Sequence, residues 1–559
     1  KQKTAYEIVS RDWSSDVCSS DLDPDPCLPG SSLQTSWQEL PPGAKYLRRT
    51  PIRTNGGDID DVADSAPQKD MAFGIYHTPE EFVEEAVKAG HPSQWSAVLP
   101  CALEEAIKWN LRSTPKHLCQ TMLQTLSEWS TLAKDLQKEE QNIHAALPDH
   151  ARVILQGKRI LLWKTLLERY NYDDMEVVDE LLKGVDLVGS VGQVPSMTSA
   201  FKPATKSVGE LREGAKASRD ATLAGMRSGG DGEIDAEVYR KTLDEKADGW
   251  ICGPIKQEDL PEHAVVNRRF GIRQGDKVRL IDDFSASGVN GCVQAGAAPY
   301  LHTLDFVAAL LRELNIGDRS NRWLGKTFDL ASAYRQMIVS ETSAWAAYIA
   351  VYNPNTDRAE IYQMKALPFG ATKSVYSFLR VAHSLWYLGA KGLGLIWSSY
   401  FDDFICLSRE TCATIVSGCV QTFFDLLGWR VSGGDKDLPF SDIFKALGVQ
   451  ISLDNWMKGI VLMQNTEKRI LELSGCIDKA LKEGTLSSAA ALSLRGRMQF
   501  ANSQVWGRAS KICLKQVTLH AYNNNSSKVC DALAAALSTF RKVLNAGKSR
   551  HQQAPVCFY

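Results

Sequence analysis

The segment Tyr400-Phe401-Asp402-Asp403-Phe404 sets two adjacent carboxylates between apolar, strand-like runs, Leu395-Ile396-Trp397 before and Ile405-Cys406-Leu407 after. That pattern predicts a buried hairpin with both charges at its tip. Burial penalises the ionised form of each carboxylate, and each penalises its neighbour. A bound divalent cation offsets the cost, so the arrangement asks for a metal, and an upstream partner carboxylate would complete a site for it.

Composition sets the outer bounds. The 559 residues suggest three or four domains, and 44% hydrophobic with 23% charged residues describes an ordinary globular chain. No apolar run approaches the ~18 residues of a membrane span, and no secretory signal is read, so no membrane partner is expected. The 13 cysteines lack CxxC spacing, which argues against a zinc site or a disulfide framework and for a reduced, intracellular chain, nuclear or cytoplasmic. The net charge of −2 hides an asymmetry. Lys and Arg outnumber Asp and Glu by 35 to 26 over residues 251–559, and by 14 to 5 over 465–559, whereas residues 1–250 carry 29 against 40. A basic C-terminal helical region suits a phosphate-backbone partner.

The chain divides by pattern. Residues 1–22 resemble translated sequencing-adapter readthrough and are set aside as artefactual; residues 23–70, rich in Pro, Gly, Ser and Asp, read as disordered. Residues 71–186 read as a helical accessory domain. One helix starts at Thr78-Pro79-Glu80-Glu81 and ends at Gly90. A longer one starts at Thr114-Pro115 and carries Leu118, Met122, Leu126, Trp129 and Leu132 at steps of three and four. Further helical patterns lie near 150–170 and 175–183. Residues 187–232 are Gly/Ser-rich and read as a linker. From 233 to 465 short strands alternate with helices, and from 466 the pattern is helical again.

The partner carboxylate is Asp329, in Lys326-Thr327-Phe328-Asp329-Leu330-Ala331-Ser332-Ala333-Tyr334, at the predicted carboxyl end of a strand. Carboxylates from two strands can hold two Mg²⁺ ions about 3.5–4 Å apart, which would activate an attacking hydroxyl and stabilise a leaving pyrophosphate. With Asp329, Asp402 and Asp403 in place, residues 250–465 resemble a reverse transcriptase of the compact kind found in retroviruses, LTR retrotransposons and DIRS-like elements. The resemblance implies an α+β right-hand polymerase, with fingers and an antiparallel palm over 233–465 and a helical thumb or connection over 466–559, behind a mainly helical N-terminal domain.

The resemblance also assigns roles. Asp329 and Asp402 would bridge two Mg²⁺ ions (Mn²⁺ as an alternative), with Asp403 beside them. Tyr334 matches the aromatic position beneath the incoming sugar, where a ring collides with a ribose 2′-OH and favours deoxynucleotides. Leu367-Pro368-Phe369-Gly370-Ala371, leading into a helix over about 372–388, matches the loop that packs against the nascent base pair, with Phe369 and Gly370 at the nucleotide. Many relatives carry a small residue and proline where this chain has Ser374-Val375. Arg279, in Arg279-Leu280-Ile281-Asp282-Asp283-Phe284, is the best triphosphate ligand, with Lys277 and Arg273 as alternatives. Asp283 and Asn290 would hold that loop. Lys436, after the Gly433-Gly434 turn, would neutralise or protonate departing pyrophosphate. Ala446-Leu447-Gly448-Val449 and Gly459 to Met463 would form the primer-grip hairpin.

Downstream, Arg495, Arg497, Arg508, Lys511 and Lys515 could track a duplex backbone. In related elements an RNase H domain opening with an apolar strand often follows, and Ala554 to Tyr559 is read as the beginning of such a strand. The expected partners are an RNA template, a DNA or RNA primer and dNTPs. Two other readings compete: a degenerate retroelement remnant that binds nucleic acid without polymerising, disfavoured by the three intact aspartates, and an RNA-dependent RNA polymerase, disfavoured by Tyr334.

Overall fold

The computed structural model describes residues 44–47, 72–75, 99–274, 277–502, 510–523, 526–549 and 556–557. Residues 1–22, the helix expected from Thr78 to Gly90 and Arg508 lie outside them, as does nearly all of 23–70. The described residues form two compact units, one of 99–462 with 556–557 and one of 463–549 with 44–47 and 72–75. Helices and strands are mixed along it.

The first unit runs through helices α1 (Cys101–Arg112), α2 (Pro115–Asp135), α3 (Ile160–Arg169) and α4 (Glu176–Lys183), then strands β1 (Ile251–Ile255), β2 (Val266–Gln274), β3 (Lys277–Asp283), β4 (Trp323–Asp329), β5 (Tyr348–Asn353) and β6 (Arg358–Met364). Helix α5 (Thr372–Leu393), the hairpin β7 (Ile396–Tyr400) and β8 (Asp403–Arg409), helix α6 (Ala413–Leu427), and strands β9 (Ile443–Ala446) and β10 (Val449–Ser452) follow. One sheet has five strands in the order β1-β6-β5-β2-β3. A second has three antiparallel strands in the order β7-β8-β4.

The three-stranded sheet forms where the sequence is apolar on successive residues. Phe404, Ile405, Cys406 and Leu407 are all buried, which marks a strand covered on both faces. Helix α5 is locked to β7 by a reciprocal pair: the Trp386 indole N–H donates to the Trp397 carbonyl at 2.8 Å and the Trp397 indole N–H returns to the Trp386 carbonyl at 2.9 Å. Gly325 of β4 allows β9 to approach, since a Cβ there would lie 2.1 Å from the Phe444 ring.

Residues 99–186 pack onto this core and belong to the same compact unit. Helix α2 starts as its sequence predicts, with the Thr114 side chain accepting from the His117 N–H and Pro115 at the first position. Its buried stripe includes Leu118, Met122, Leu126 and Trp129. Asn110 of α1 donates to the Gly394 carbonyl, Tyr387 of α5 donates to the Tyr170 carbonyl, and Arg380 of α5 pairs with Asp174 and Glu180. The apolar stripe was visible in the sequence; the surface it covers was not, because its partners include residues as distant as Phe423, whose ring lies 6.2 Å from Trp129.

Residues 187–232, expected as a linker, are ordered into elements. Gly189–Val191 and Thr198–Lys202 flank Val293–Ala298 in a small sheet, and the helix Val208–Glu213 opens with a capping box between Ser207 and Glu210. Gly and Ser here serve turns and caps rather than a free tether.

In the second unit, helices Glu467–Glu483, Ser488–Asn502, Lys511–Asn523 and Asp531–Ser549 surround a core that includes Leu473, Ile477, Met498, Val517, Leu537 and Phe540. Ala44–Leu47, inside the stretch read as disordered, pairs with Ala72–Ile75 just beyond it. Arg497, Lys511 and Lys515 are exposed and Arg495 is half-buried. Among the described residues no helix is long and apolar enough to cross a membrane.

Candidate active site

The tip of the β7-β8 hairpin is a two-residue connection, Phe401-Asp402, between the paired Tyr400 and Asp403. Phe401 takes φ +52°, an uncommon conformation for a residue with a side chain. Such a conformation costs on the order of 1–3 kcal/mol and persists where its surroundings enforce it, as at functional sites.

Asp403 lies directly opposite Asp329 of β4, and the Leu330 N–H donates to the Asp402 carbonyl at 3.0 Å. This makes Asp329 and Asp403 a non-hydrogen-bonded antiparallel pair, the type with Cα atoms about 4.5 Å apart and side chains close on one face. The register thus brings together the three aspartates that the sequence singled out.

Electrostatics follow from that crowding. Burial, then the charge of Asp329, raises the Asp402 carboxyl above its usual range, while Lys436 and Arg279 oppose the rise. Asp403 is pushed up to about 7, by burial first and then by Asp402 and Asp329. Arg279, exposed on β3, is therefore close enough to act on Asp402. Lys277 is exposed on the same strand, whereas Arg273 is engaged by Glu233 at 2.9 Å and Asp231 at 3.5 Å.

Lys436 reaches Asp329 Oδ2 at 2.5 Å, and the Ser432 hydroxyl donates to the same oxygen at 2.6 Å. The Ser432 N–H also donates to the Asp329 carbonyl at 2.7 Å. Ser432 is a site residue that sequence reasoning did not find; a lone serine before a Gly-Gly turn carries no signal of its own.

Tyr334 lies on the turn after β4, its ring stacked on Phe378 of α5 at 4.9 Å and edge-on to Phe369 at 5.5 Å. Burial, then Asp402, raises its phenol. The residues after it anchor this ring. Arg335 pairs with the buried Glu245 at 2.6 Å and donates to the Leu367 carbonyl, and Glu245 also meets Arg269, which grips Asp282 of β3 through both carboxylate oxygens. Gln336 bonds to the Ala331 and Arg430 carbonyls. This network links β2, β3 and the turn bearing Tyr334, and its members are too far apart in sequence to be paired by inspection.

Asn290 holds the Phe369-Gly370 loop. Its Nδ2 donates to the Gly370 carbonyl at 3.0 Å and its Oδ1 accepts from the Thr372 N–H at 2.8 Å. That second bond serves the start of α5, where Ala371 offers no side-chain cap. Gly370 has φ +112°, and a Cβ there would lie 2.6 Å from the Asp282 carbonyl oxygen. Asp283 is occupied locally, accepting from the Ser285 and Ala286 N–H groups.

Among the described residues, no group of three or more His, Cys, Asp or Glu side chains is arranged to hold a metal ion. The donor set nevertheless fits a hard divalent cation: crowded carboxylates with raised affinity for protons are short of positive charge, and Mg²⁺ commonly takes one or two carboxylates and completes its shell with water and substrate phosphate. Asp329, Asp402 and Asp403 would hold it.

No protein-family profile matches the chain, and no curated protein matches it. Solved structures similar to it include foamy viral protease-reverse transcriptases. One in complex with double-stranded DNA shares 16% identity over 74% of this chain and 60% of its own, with a TM-score of 0.41. Another with double-stranded DNA shares 15% over 74% and 71%, and one with an RNA/DNA hybrid shares 17% over 74% and 46%, both at 0.41. The chain thus spans about 60% of the length of the first of these.

Proposed function

We propose that this chain is an RNA-directed DNA polymerase of a retroelement, adding dNTPs to a primer 3′-OH on an RNA template. The observation that carries this reading is the placement of Asp329, Asp402 and Asp403 at one end of an antiparallel sheet, with Tyr334 on the turn that follows β4. In this reading the five-stranded sheet is the fingers, the three-stranded sheet the floor of the palm, and the bundle from Glu467 the thumb or connection. Bound Mg²⁺ would make the 3′-OH a better nucleophile and stabilise charge on the leaving pyrophosphate.

The chain's own residues divide the remaining work. Asp329, Asp402 and Asp403 orient the cations. Arg279 binds the triphosphate from the fingers side, with Lys277 nearby. The Tyr334 ring, backed by Phe378 and bordered by Phe369, occupies space that a 2′-OH would need. Lys436 faces the leaving group. Positioning and charge stabilisation, rather than covalent chemistry, supply the rate.

The choice of sugar and template tests this reading. Primer extension should proceed with dNTPs on RNA and fail with ribonucleotides. Preferential ribonucleotide incorporation would instead identify an RNA polymerase. Duplex binding with no extension of either kind would identify a non-polymerising retroelement remnant.

A further inference from the structure

The segment around Lys436 runs along the free edge of β4 and is clasped to it at two places. At one end the Ala331 N–H donates to the Arg430 carbonyl and the Ser432 N–H to the Asp329 carbonyl; at the other, Gly325 and Ser441 exchange backbone hydrogen bonds at 2.8 and 3.0 Å. Residues 433–440 bulge out between the clasps. Side chains three apart on a strand point to opposite faces. Asp329 therefore faces the carboxylate cluster, and Lys326 faces the other side, beside Phe328 and the Ser417 hydroxyl of α6.

The bulge sends one charge to each face. Lys436 meets Asp329 at 2.5 Å, and Asp437 meets Lys326 at 2.7 Å. The two ion pairs differ in setting. In one the cation is the buried member, Lys326 at 6% exposed against Asp437 at 52%; in the other the carboxylate is, Asp329 at 20% against Lys436 at 61%. A buried cation loses much by parting from its carboxylate, and an exposed one loses little. Lys326 therefore holds the Asp437 side the more firmly, and Lys436, the exposed cation, is the one that can exchange partners.

We propose that Asp437 and Lys326 are positioning residues for Lys436. Their ion pair, on the face of β4 away from the aspartates, sets the bulge so that the adjacent Lys436 ammonium is presented to the carboxylate face. There it neutralises Asp329 until phosphate oxygens compete for it. The proposal rests on the polymerase reading for the second partner, but not for the first.

Two measurements on the full chain test it. In metal-free protein, the rate of Lys436 acetylation by an N-hydroxysuccinimide ester, read by mass spectrometry, should rise several-fold in Asp437→Asn and return in Asp437→Glu. An unchanged rate in Asp437→Asn overturns the proposed placement whatever the activity. In single-turnover extension, Asp437→Asn should slow incorporation about tenfold with little change in the dNTP concentration for half-maximal rate, the pattern of an interaction made in the transition state. The same substitution should cost nothing further in a Lys436→Ala background. Equal losses in both backgrounds would show that Asp437 acts independently of Lys436 and overturn the proposal. Absence of extension by the wild-type chain sinks the polymerase reading, while the acetylation result still decides whether Asp437 places Lys436.

Discussion

At the scale of single residues, the account turns on charges that a fold without a ligand would avoid. Asp402 and Asp403 are crowded by Asp329 and raised by burial. Removing one charge should relieve the metal-free protein while disabling it. Asp403→Asn should raise the melting temperature at pH 8 by about 2 °C, of the size expected for a gain near 1 kcal/mol; calorimetry checks this, and a lowered melting temperature would argue against charge crowding. Tyr334→Ala should relax discrimination against ribonucleotides by about tenfold or more, worth about 1.4 kcal/mol, measured as the ratio of kcat/KM for dNTP and NTP; an unchanged ratio would remove Tyr334 as the gate. These residues were legible in the sequence because each carries its own signal: a carboxylate doublet between apolar runs, an Asp ending a strand, and an aromatic residue five positions on. Ser432 and Arg335 were not, since their meaning lies in partners about 90 to 100 residues away.

At the scale of elements, the site depends on how two sheets and one loop are tied. Glu245 receives Arg269 and Arg335 in a buried cluster, so removing one arginine strands a charge. Arg335→Met should cost about 3–5 kcal/mol in denaturant unfolding, the usual result of breaking a buried pair from one side; a loss under about 1 kcal/mol would contradict the network's role. The helical register of α2 was readable from capping and periodicity, and the start of α5 from the Pro368-to-Gly370 turn before it. The docking of α1 and α2 was not, because an amphipathic stripe states that a face is buried and not what buries it. Segment 187–232 shows the converse: its composition suggested a tether, while pairing with Val293–Ala298 supplies order that composition does not encode.

At the scale of the first compact unit, two histidines withdrawn from solvent, His302 buried and His383 half-buried, make its stability depend on pH. His383 is lowered to about 4 by burial, and burial likewise lowers His302, whose Nδ1 accepts from the Ser399 N–H on the β7-β8 hairpin. An unfolded histidine titrates near 6.5, so each contributes stability in full above that pH, and loses it as pH falls from 6.5 toward the folded value. Between pH 7 and pH 5 the loss from His383 should be on the order of 2 kcal/mol. His383→Asn, which keeps an acceptor for the Tyr172 hydroxyl, should show a correspondingly smaller drop in thermal melts; an identical drop would show that His383 is not held neutral. The raised Asp402 and Asp403 titrate in the opposite sense, so the comparison between variants isolates the histidine.

The most direct measurement is dTTP incorporation on poly(rA) primed with oligo(dT), by the wild-type chain and by Asp402→Asn/Asp403→Asn, in Mg²⁺. The account predicts extension by the wild type and a loss of at least about a thousandfold in the double variant, with duplex binding retained. Equal extension by both would show that the carboxylates brought together by β4 and the β7-β8 hairpin are not the catalytic centre.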